Sequence, residues 1–432
     1  MPSRPDIRTD LLDELSWRGL LYQQTDGLGA HLAKGAVTGY CGFDPTASSL
    51  HVGNLVPVMG LVHLARAGHK PVALVGGGTA MIGDPSGKST ERVLMGVEEI
   101  DANASAIHAQ IEGVCQRALG GAGASPGQLV EMKNNASWLR EIGMLEFMRD
   151  VGKHFSINYM MAKDSVQSRL DSGISFTEFS YMLCQAYDFL AMFKSDGVTL
   201  QIGGSDQWGN ITAGTELVRR SAGGEAYGLT LPLVTTASGT KFGKTESGAV
   251  WLDAARTSPY QFYQFWINTE DADVGKYLRM FTLLTRTEIE SLEASQAVAP
   301  HERAAQKALA AAVTTLIHGA EAARTAEQVS KIIFDKRTDP HSIGDNVFKM
   351  LALEIPSTQL VGDDLNVLDV LELAFGLSRG AGKKLIQQGG ITVNGDKLAS
   401  DETTVSRAKA IRLRWFLIRK GKQDIALADL HL

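Results

Sequence analysis

Short β-rich runs alternate with long helical patterns over residues 1–235 of this chain. The runs are 36–43, 71–75, 129–132, 198–202 and 231–235. Such alternation predicts an α/β fold with a Rossmann-like parallel sheet, covered by helices, whose ligands bind at the carboxyl ends of the strands. All but one of the polar clusters described below directly follow one of these runs. The sequence therefore predicts a functional site at one edge of the sheet.

Four further segments follow the predicted sheet. Residues 236–257 form a connecting segment with a glycine-rich loop, and residues 258–335 carry apolar side chains at helical spacing, which predicts a small helical domain. Residues 336–365 are predicted to be a linker because proline and glycine interrupt them. Residues 366–432 predict a small C-terminal α+β domain with an Asn394-Gly395 hairpin turn.

Composition and charge narrow the class of protein. The chain has 432 residues, of which 44% are hydrophobic and 21% are charged, as expected for a soluble globular protein of two to four domains. The net charge is −6, yet residues 366–432 contain 11 Lys and Arg against 7 Asp and Glu. A basic terminal module on an acidic body suggests a nucleic-acid partner, although a solvated charged surface would look the same.

Targeting, redox and metal signals are few. The N-terminal residues have no continuous apolar stretch, and no run approaches the roughly 18 apolar residues of a membrane helix, so we expect no signal peptide and no membrane association. Three widely spaced cysteines predict reduced thiols and a cytoplasmic location. The ten histidines form no HExxH motif and no Cys/His cluster, so we expect no dedicated metal site.

The segment 40–54, YCGFDPTASSLHVGN, joins a predicted strand to a predicted helix. Pro45 ends the strand because proline cannot donate to a ladder. The free amides at a helix N-terminus attract phosphate, His51 adds a donor, and Gly53 allows a ring to approach the backbone. Taken alone, the segment could equally be an ordinary strand-to-helix turn.

A second polar cluster follows the second β-rich run. The segment 83–89, GDPSGKS, is one residue shorter than a Walker A loop, and Pro85 stands where a phosphate-binding N–H is needed. We therefore do not expect a P-loop nucleotidase.

The third cluster lies on a predicted helix. Tyr181, Gln185 and Asp188 have i, i+4, i+7 spacing, which places them on one helix face among apolar neighbours. Buried polar groups need partners, so a ligand is expected there, although an exposed amphipathic face is the simpler alternative.

Two further clusters follow the last two β-rich runs. The segment 201–209, QIGGSDQWG, has glycines that permit close approach of a nucleotide and a carboxylate suited to ribose hydroxyls, although Asp206 could simply be a helix cap. The segment 241–245, KFGKT, lies in a loop with glycines at 239, 243 and 248, which predicts a flexible loop able to fold over a triphosphate.

These motifs, in this order, resemble those of class I aminoacyl-tRNA synthetases. The string DPTASSLHVGN resembles the HIGH signature in the form found in the bacterial-type tyrosyl family, and KFGKT resembles the tyrosyl variant of KMSKS. The C-terminal module resembles the small RNA-binding domain first known from a ribosomal protein. The resemblance makes 258–335 an anticodon-arm domain and implies a homodimer.

The family resemblance also implies the chemistry. Tyrosine and ATP would give tyrosyl-adenylate and pyrophosphate, and tyrosine would then pass to the 3′-terminal ribose of tRNA(Tyr). The attacking carboxylate is already ionised, so catalysis would rest on positioning and on charge stabilisation. ATP would bring Mg²⁺ with it, and no bound organic cofactor is expected.

Residue roles follow from the resemblance alone. Catalysis would involve Thr46, His51, Asn54, Lys88, Arg92, Lys241, Lys244 and Thr245. Tyrosine would be bound by Tyr40, Asp84, Tyr181, Gln185, Asp188 and Gln207, with Tyr40 and Asp188 on its phenolic hydroxyl. ATP would contact Gly42, Asp44, His51, Gly53, Gly203, Asp206 and Lys244. RNA would contact Arg379, Lys383 and Lys384.

One residue departs from the family pattern, and two rival functions stay open. Asn54 replaces the last histidine of HIGH; its amide is a neutral donor, so a pH dependence arising there should disappear. One rival is an RNA-binding protein that has kept the scaffold without turnover, and the other is a tryptophanyl enzyme. Tyr40 together with Asp188, and the basic C-terminal module, favour tyrosine.

Overall fold

The computed structural model describes residues 10–86, 95–120, 130–167, 169, 173–239, 242–245, 248–335, 337–421 and 424–431. It divides into two compact units. Unit 1 consists of Met1–Thr257 and Asn268–Ile317, and unit 2 of Ser258–Ile267 and His318–Leu432. Across the described residues, no helix combines the length and the apolar character that crossing a bilayer requires.

Unit 1 is built on a six-stranded sheet. Its strands are β1 Gln23–Gln24, β2 Thr38–Phe43, β3 Lys70–Val75, β4 Glu131–Asn134, β5 Val198–Gly204 and β6 Tyr227–Leu231. Their order is β1-β6-β5-β2-β3-β4, and every pair is parallel except β1 with β6. The strand order reverses between β2 and β5, so the chain leaves these neighbours on opposite sides and opens a crevice at their carboxyl ends. The predicted α/β fold with a Rossmann-like sheet is confirmed.

Helices cover this sheet, and a short hairpin follows it. The helices before the hairpin are α1 Leu11–Trp17, α2 Leu28–Leu32, α3 Leu55–Arg66, α4 Val97–Leu119, α5 Ala136–Leu139, α6 Met144–Asp150, α7 Ile157–Met161, α8 Asp164–Gln167, α9 Phe176–Asp196 and α10 Trp208–Ala222. The hairpin pairs β7 Lys244–Thr245 with β8 Gly248–Ala249. Helix α3 is buried along most of its length and lies close on the sheet: a Cβ on Gly60 would come within 2.9 Å of Leu231.

The last strand of the sheet lies earlier in the chain than predicted. The sequence predicted a strand over 231–235, whereas β6 runs from Tyr227 to Leu231 and shares only one residue with that range. Pro232 ends the strand because it has no N–H for the ladder. The buried residues 228–231 supply the ladder instead.

Residues 258–335 are helical, as the apolar spacing predicted. The helices are α11 Pro259–Ile267, α12 Asp271–Phe281, α13 Arg286–Val298, α14 Ala304–His318 and α15 Ala320–Phe334. Their contacts assign α11 and α15 to unit 2 and most of the others to unit 1. The domain boundaries drawn from the sequence therefore remain predictions.

The predicted linker 336–365 contains regular structure. Helix α16 Asp345–Glu354 and strands β9 Ser357–Val361 and β10 Asp364–Asn366 begin there. Strand β9 pairs with the last strand of the C-terminal sheet, and Trp415 donates from its indole Nε1 to Asp345 at 2.7 Å. Pro340 and Gly344 therefore mark a turn before α16 rather than an extended linker.

The C-terminal part of unit 2 is an α+β module. Its remaining elements are α17 Val367–Phe375, α18 Arg379–Gln387, β11 Ile391–Val393, β12 Asp396–Lys397, β13 Thr404–Ser406, β14 Trp415–Lys420 and β15 Asp424–His431. The five-stranded sheet has the order β12-β11-β14-β15-β9. The predicted hairpin turn is present: Asn394 and Gly395 have φ values of +53° and +98° and join β11 to β12.

Candidate active site

Five polar side chains predicted from the sequence line one cleft at the carboxyl end of the sheet. They are Tyr40 on β2, Asp44 just after β2, Asp84 after β3, and Tyr181 and Asp188 on the inner face of α9. The pKa of the Tyr181 phenol reflects this proximity. Burial is the largest cause that raises it, and the charges of Asp44, Asp84 and Asp188 raise it further. The two strands and the helix therefore bring together residues far apart in the sequence.

Asp188 is buried and held by two donors. Asn135 donates from Nδ2 to Oδ2 at 2.9 Å, and Trp138 donates from its indole Nε1 to Oδ1 at 2.7 Å. Burial raises the pKa of Asp188 from 3.8 to about 7, although both donors oppose the rise. Each carboxylate oxygen keeps a second lone pair, so Asp188 can still accept a hydrogen bond from a ligand.

Tyr40 presents a buried hydroxyl. The side chain is 1% exposed, packs edge-on against Phe189 with ring centroids 5.3 Å apart, and its Oη has no hydrogen-bond partner among the described residues. Burial raises the pKa of this phenol, and the charge of Asp188 raises it further. A buried hydroxyl without a partner is costly unless a ligand satisfies it.

Asp44 is fixed by hydroxyl groups. Thr79 donates to its Oδ1 at 2.9 Å and Tyr181 donates to its Oδ2 at 3.0 Å. Gly76 makes room for this pair, because a Cβ there would lie 2.1 Å from the Asp44 carboxylate. The carboxylate therefore points into the cleft in one defined orientation.

Asp84 has a similar set of partners. The Ser86 N–H donates to Oδ1 at 2.9 Å, and Gln207 donates from Nε2 to Oδ2 at 2.8 Å. Asn210 in turn donates to the Gln207 side-chain oxygen at 3.0 Å. Burial, followed by the charge of Asp44, raises the pKa of Asp84 to about 6.

Two glutamines complete the cleft with unsatisfied oxygens. Gln185 on α9 and Gln201 on β5 each have a buried side-chain Oε1 without a partner among the described residues. Gln201 is the register neighbour of Tyr40 across the β2–β5 pair, so the two side chains leave the same face of the sheet. Together with the Tyr40 hydroxyl, these atoms indicate a polar ligand pocket.

His51 precedes a helical turn at the mouth of the same crevice. Its Nδ1 accepts the Gly53 N–H at 3.0 Å, so in the neutral ring Nε2 carries the hydrogen. Gly53 is required because a Cβ there would lie 2.8 Å from the His51 ring. Asn54 Oδ1 accepts the His51 N–H at 3.0 Å, which leaves the Asn54 Nδ2 as the available donor.

The remaining predicted nucleotide residues lie at the strand ends. Gly42, near the end of β2, and Thr46, in the turn after it, are exposed, and Gly203 is the last but one residue of β5. Asp206 is exposed, and a Cβ on Gly204 would lie 2.5 Å from its carboxylate. Five predicted cationic or polar groups cannot be located by side chain: Lys88, Arg92 and Lys241 lie outside the described residues, and of Lys244 and Thr245 only the backbone, in β7, is described.

The predicted RNA-contacting residues lie on α18. Arg379 forms an ion pair with Asp369 at 2.6 Å, and Lys383 and Lys384 are exposed. Gly382, just before the two lysines, lets α18 pack closely on α17, since a Cβ there would lie 3.0 Å from Leu368. The two lysines therefore point away from this helix contact.

Several residues beside the predicted ligand residues were not predicted from the sequence. Thr79, Asn135, Trp138 and Gln201 each contact or flank a predicted ligand residue. Three of them belong to short elements without a periodic pattern, so no local signal marks them. Gln201 stood inside a recognised motif, and its position in a buried strand was the signal that could have identified it.

Comparison with known proteins identifies the family. A sequence profile described as class I tRNA synthetases (W and Y) matches residues 32–335, and one described as the tyrosine–tRNA ligase SYY-like C-terminal domain matches residues 348–428. A tyrosine–tRNA ligase of Anaeromyxobacter dehalogenans is 51% identical over 98% of this chain and 100% of its own length. One of Bacillus caldotenax is 50% identical over 97% of this chain and 99% of its own. The chain belongs to the tyrosine–tRNA ligase family.

Solved structures agree with this assignment. The C-terminally truncated mitochondrial tyrosyl-tRNA synthetase of Aspergillus nidulans has a TM-score of 0.69 and 32% identity, over 76% of this chain and 94% of that one. A tryptophanyl-tRNA synthetase of Encephalitozoon cuniculi shares the fold alone, at a TM-score of 0.54 and 15% identity. The predicted activity, tyrosine activation with ATP followed by transfer to tRNA(Tyr), is therefore confirmed, and the two rival functions are set aside.

The raised pKa of Asp188 predicts how stability depends on pH. The folded chain keeps this proton up to about pH 7, whereas an unfolded Asp loses it near pH 3.8. The folded state thus binds more protons between these values, and the group makes the free energy of unfolding fall as pH rises through that window. Asp188→Asn should make this fall shallower, with Asp84 retaining part of it.

Urea unfolding at several pH values between about 4 and 8 measures this slope. Asp26→Asn, at an exposed position, is the control and should leave the slope unchanged. An unchanged slope in Asp188→Asn would contradict the assignment of the buried proton to this residue.

Proposed function

We propose that Tyr40 and Asp188 select tyrosine by sharing its phenolic hydroxyl. Asp188, oriented by Asn135 and Trp138, would accept the hydroxyl proton, and the unpartnered Tyr40 Oη would donate to the same oxygen. Phenylalanine would leave the buried Tyr40 hydroxyl without a partner and would offer Asp188 no hydroxyl from which to accept. A tyrosyl-tRNA synthetase that recognises the hydroxyl group in this way prefers tyrosine over phenylalanine by about 10⁵-fold; this is a reference value and was not obtained from this chain. The buried, unpartnered Tyr40 hydroxyl is the observation that carries the proposal.

The other end of tyrosine would be held by its ammonium group. Asp84 supplies negative charge, and Gln185 offers a buried oxygen without a partner among the described residues. Tyr181 would add its phenolic oxygen as an acceptor, because its O–H already donates a hydrogen bond to Asp44. Gln207 would act by orienting Asp84. The ammonium would also offset the repulsion between Asp44 and Asp84, which raises the pKa of Asp84.

ATP would lie across the ends of β2 and β5. His51 can donate from Nε2 to a phosphate oxygen, while Thr46 and the Asn54 amide offer neutral donors beside it. The bare backbones of Gly42, Gly53 and Gly203 allow a nucleotide to approach, and the exposed Asp206 carboxylate suits ribose hydroxyls. Asp44 would serve this side of the cleft as well, through its fixed orientation.

Catalysis would come from stabilising charge as the α-phosphate is attacked and pyrophosphate leaves. Cationic and hydroxyl donors from Lys88, Arg92, Lys241, Lys244 and Thr245 would act on the phosphates, together with His51. The tyrosine carboxylate needs no general base because it is already ionised. Mg²⁺ would enter with the triphosphate, since Asp44, Asp84 and Asp188 are each engaged by protein donors rather than grouped as ligands.

A homodimer would cover apolar side chains on unit 1. Within segment 144–176, the side chains of Met144, Leu145, Ile157 and Phe176 are 64–85% exposed. Where large exposed apolar side chains form one patch, they are typical of a protein–protein interface. A twofold-symmetric pair is the commonest way to bury such a surface.

The C-terminal module would bind tRNA through α18 and its neighbours. Lys383 and Lys384 are exposed, and Arg379 is half-exposed beside Asp369, so each can reach a phosphate. The three cysteines, Cys41, Cys115 and Cys184, are buried and form no disulfide, in keeping with the reducing conditions of a cytoplasm.

Tyr40→Phe tests the proposed selectivity. Loss of one donor should lower kcat/KM for tyrosine in ATP–pyrophosphate exchange by about three- to tenfold while leaving phenylalanine unaffected or improved. Tyr22→Phe is the matched control, because Tyr22 is 64% exposed. An equal loss for both amino acids would contradict a contact with the hydroxyl, and running tryptophan as a third substrate tests the amino-acid preference itself.

Lys244→Ala tests charge stabilisation by the lysine hairpin, β7–β8. Removing one such donor should lower the rate of adenylate formation by about 10²–10³ while tyrosine affinity changes little. Single-turnover kinetics and equilibrium tyrosine binding separate the two, with the exposed Lys34→Ala as control. Equal effects on rate and affinity would refute a role confined to the transition state.

A further inference from the structure

The lysine hairpin is joined by backbone hydrogen bonds to the segment that carries His51. Val52 donates its N–H to the Val250 carbonyl at 3.0 Å, and Leu252 donates to the Leu50 carbonyl at 2.8 Å. His51 and Trp251 form an antiparallel bridge between these bonds. The residues just after the hairpin therefore form a short ladder with the histidine segment.

The other arm of the hairpin joins the same ladder through Gly243. Val250, which accepts from Val52, donates its own N–H to the Gly243 carbonyl at 3.1 Å. Lys244 follows Gly243 directly and pairs with Ala249. Lys244 is thus the next residue after Gly243, whose backbone is hydrogen-bonded to the ladder with the His51 segment.

Gly243 makes a contact that no other residue could make. Its φ is +83°, and a Cβ built on it would lie 2.7 Å from Val52 Cγ2 and 3.6 Å from the Gly53 nitrogen. Val52 is fully buried and β-branched, so its methyl group cannot turn aside. The bare backbone of Gly243 is therefore packed on Val52 and Gly53.

The neighbouring Phe242 holds this position from the other side. Its side chain is 5% exposed, and its ring stacks on Phe281 with centroids 5.2 Å apart and 14° between the planes. Tyr277 packs against the same ring at 5.0 Å. Residues 242 and 243 are therefore a fixed point at the base of the hairpin.

We propose that Gly243 is a positioning residue for adenylate formation. Because it has no side chain, it packs directly on Val52 and Gly53 and thereby fixes the backbone position of Lys244 relative to His51. Gly243 itself need touch no substrate, and the inference rests on the proposed role of Lys244. A Cβ would have to move by more than half an ångström to reach ordinary contact near 3.4 Å. Since a displacement of 1 Å can cost about 10²-fold in rate, the hairpin should tolerate such a shift poorly.

The test compares Gly243→Ala with Gly239→Ala. Gly239 has a φ of +80°, but a Cβ at this position would have no atom of the described residues within 4 Å, so the variant carries the same backbone strain without the contact. Gly243→Ala should slow single-turnover adenylate formation by about tenfold or more at unchanged tyrosine affinity, and Gly239→Ala should keep most of the rate. Val52→Ala removes the opposing methyl group and should restore part of the rate lost in Gly243→Ala.

The following results would overturn the inference. Equal losses in the two alanine variants would mean that backbone strain alone matters, and failure of Val52→Ala to restore any rate would exclude the contact. Failure of Gly243→Ala to fold while Gly239→Ala folds would make the glycine structural. Lys244→Ala, measured in parallel, separates a failure of this inference from a failure of the proposed role of Lys244. If Lys244→Ala is slow and Gly243→Ala is not, only the inference about Gly243 fails. If Lys244→Ala keeps the full rate, its proposed role fails, and the inference with it.

Discussion

The meeting of three carboxylates in one cleft, with Asp84 and Asp188 buried, is the constraint on which the site depends. Burial, and to a smaller extent the charge of Asp44, raises the pKa values of both Asp84 and Asp188, and such a cluster is unfavourable unless donors surround it. Each carboxylate has at least two donors from the protein, and the cleft still contains buried polar atoms without partners among the described residues. A ligand that brings a positive charge and a hydroxyl group, as tyrosine does in the proposed function, would satisfy this arrangement.

The sheet topology explains how one cleft gathers so many separate groups. The carboxyl ends of β2, β3, β4 and β5 meet at one edge, and each is followed by a turn that supplies one or two polar side chains. Helix α9 adds a third wall at the point where the strand order reverses. Because every wall comes from a different part of the chain, the cleft exists only in the folded protein. The short ladder between the His51 segment and the lysine hairpin would extend the same arrangement to the phosphates of ATP in the proposed function.

The sequence predicted the parts of the site that local patterns encode. Tyr181, Gln185 and Asp188 were predicted because helical spacing puts them on one face, and His51 and Gly53 because they follow a strand and begin a helix. Asn135 and Trp138 could not be found, since only tertiary packing brings their short helix to Asp188. The strand at 227–231 was misplaced because the apolar residues after Pro232 carry the same β signal as those before it. Helix α16 was not predicted because Pro340 and Gly344 gave residues 336–365 the pattern of a linker.

A crystal structure with bound tyrosine would test the central claim most directly. The account predicts that the substrate hydroxyl lies within hydrogen-bond distance of both the Tyr40 Oη and an Asp188 carboxylate oxygen, with the ammonium group beside Asp84. A hydroxyl that contacts only one of the two, or that points away from Asp188, would contradict the proposed basis for selecting tyrosine.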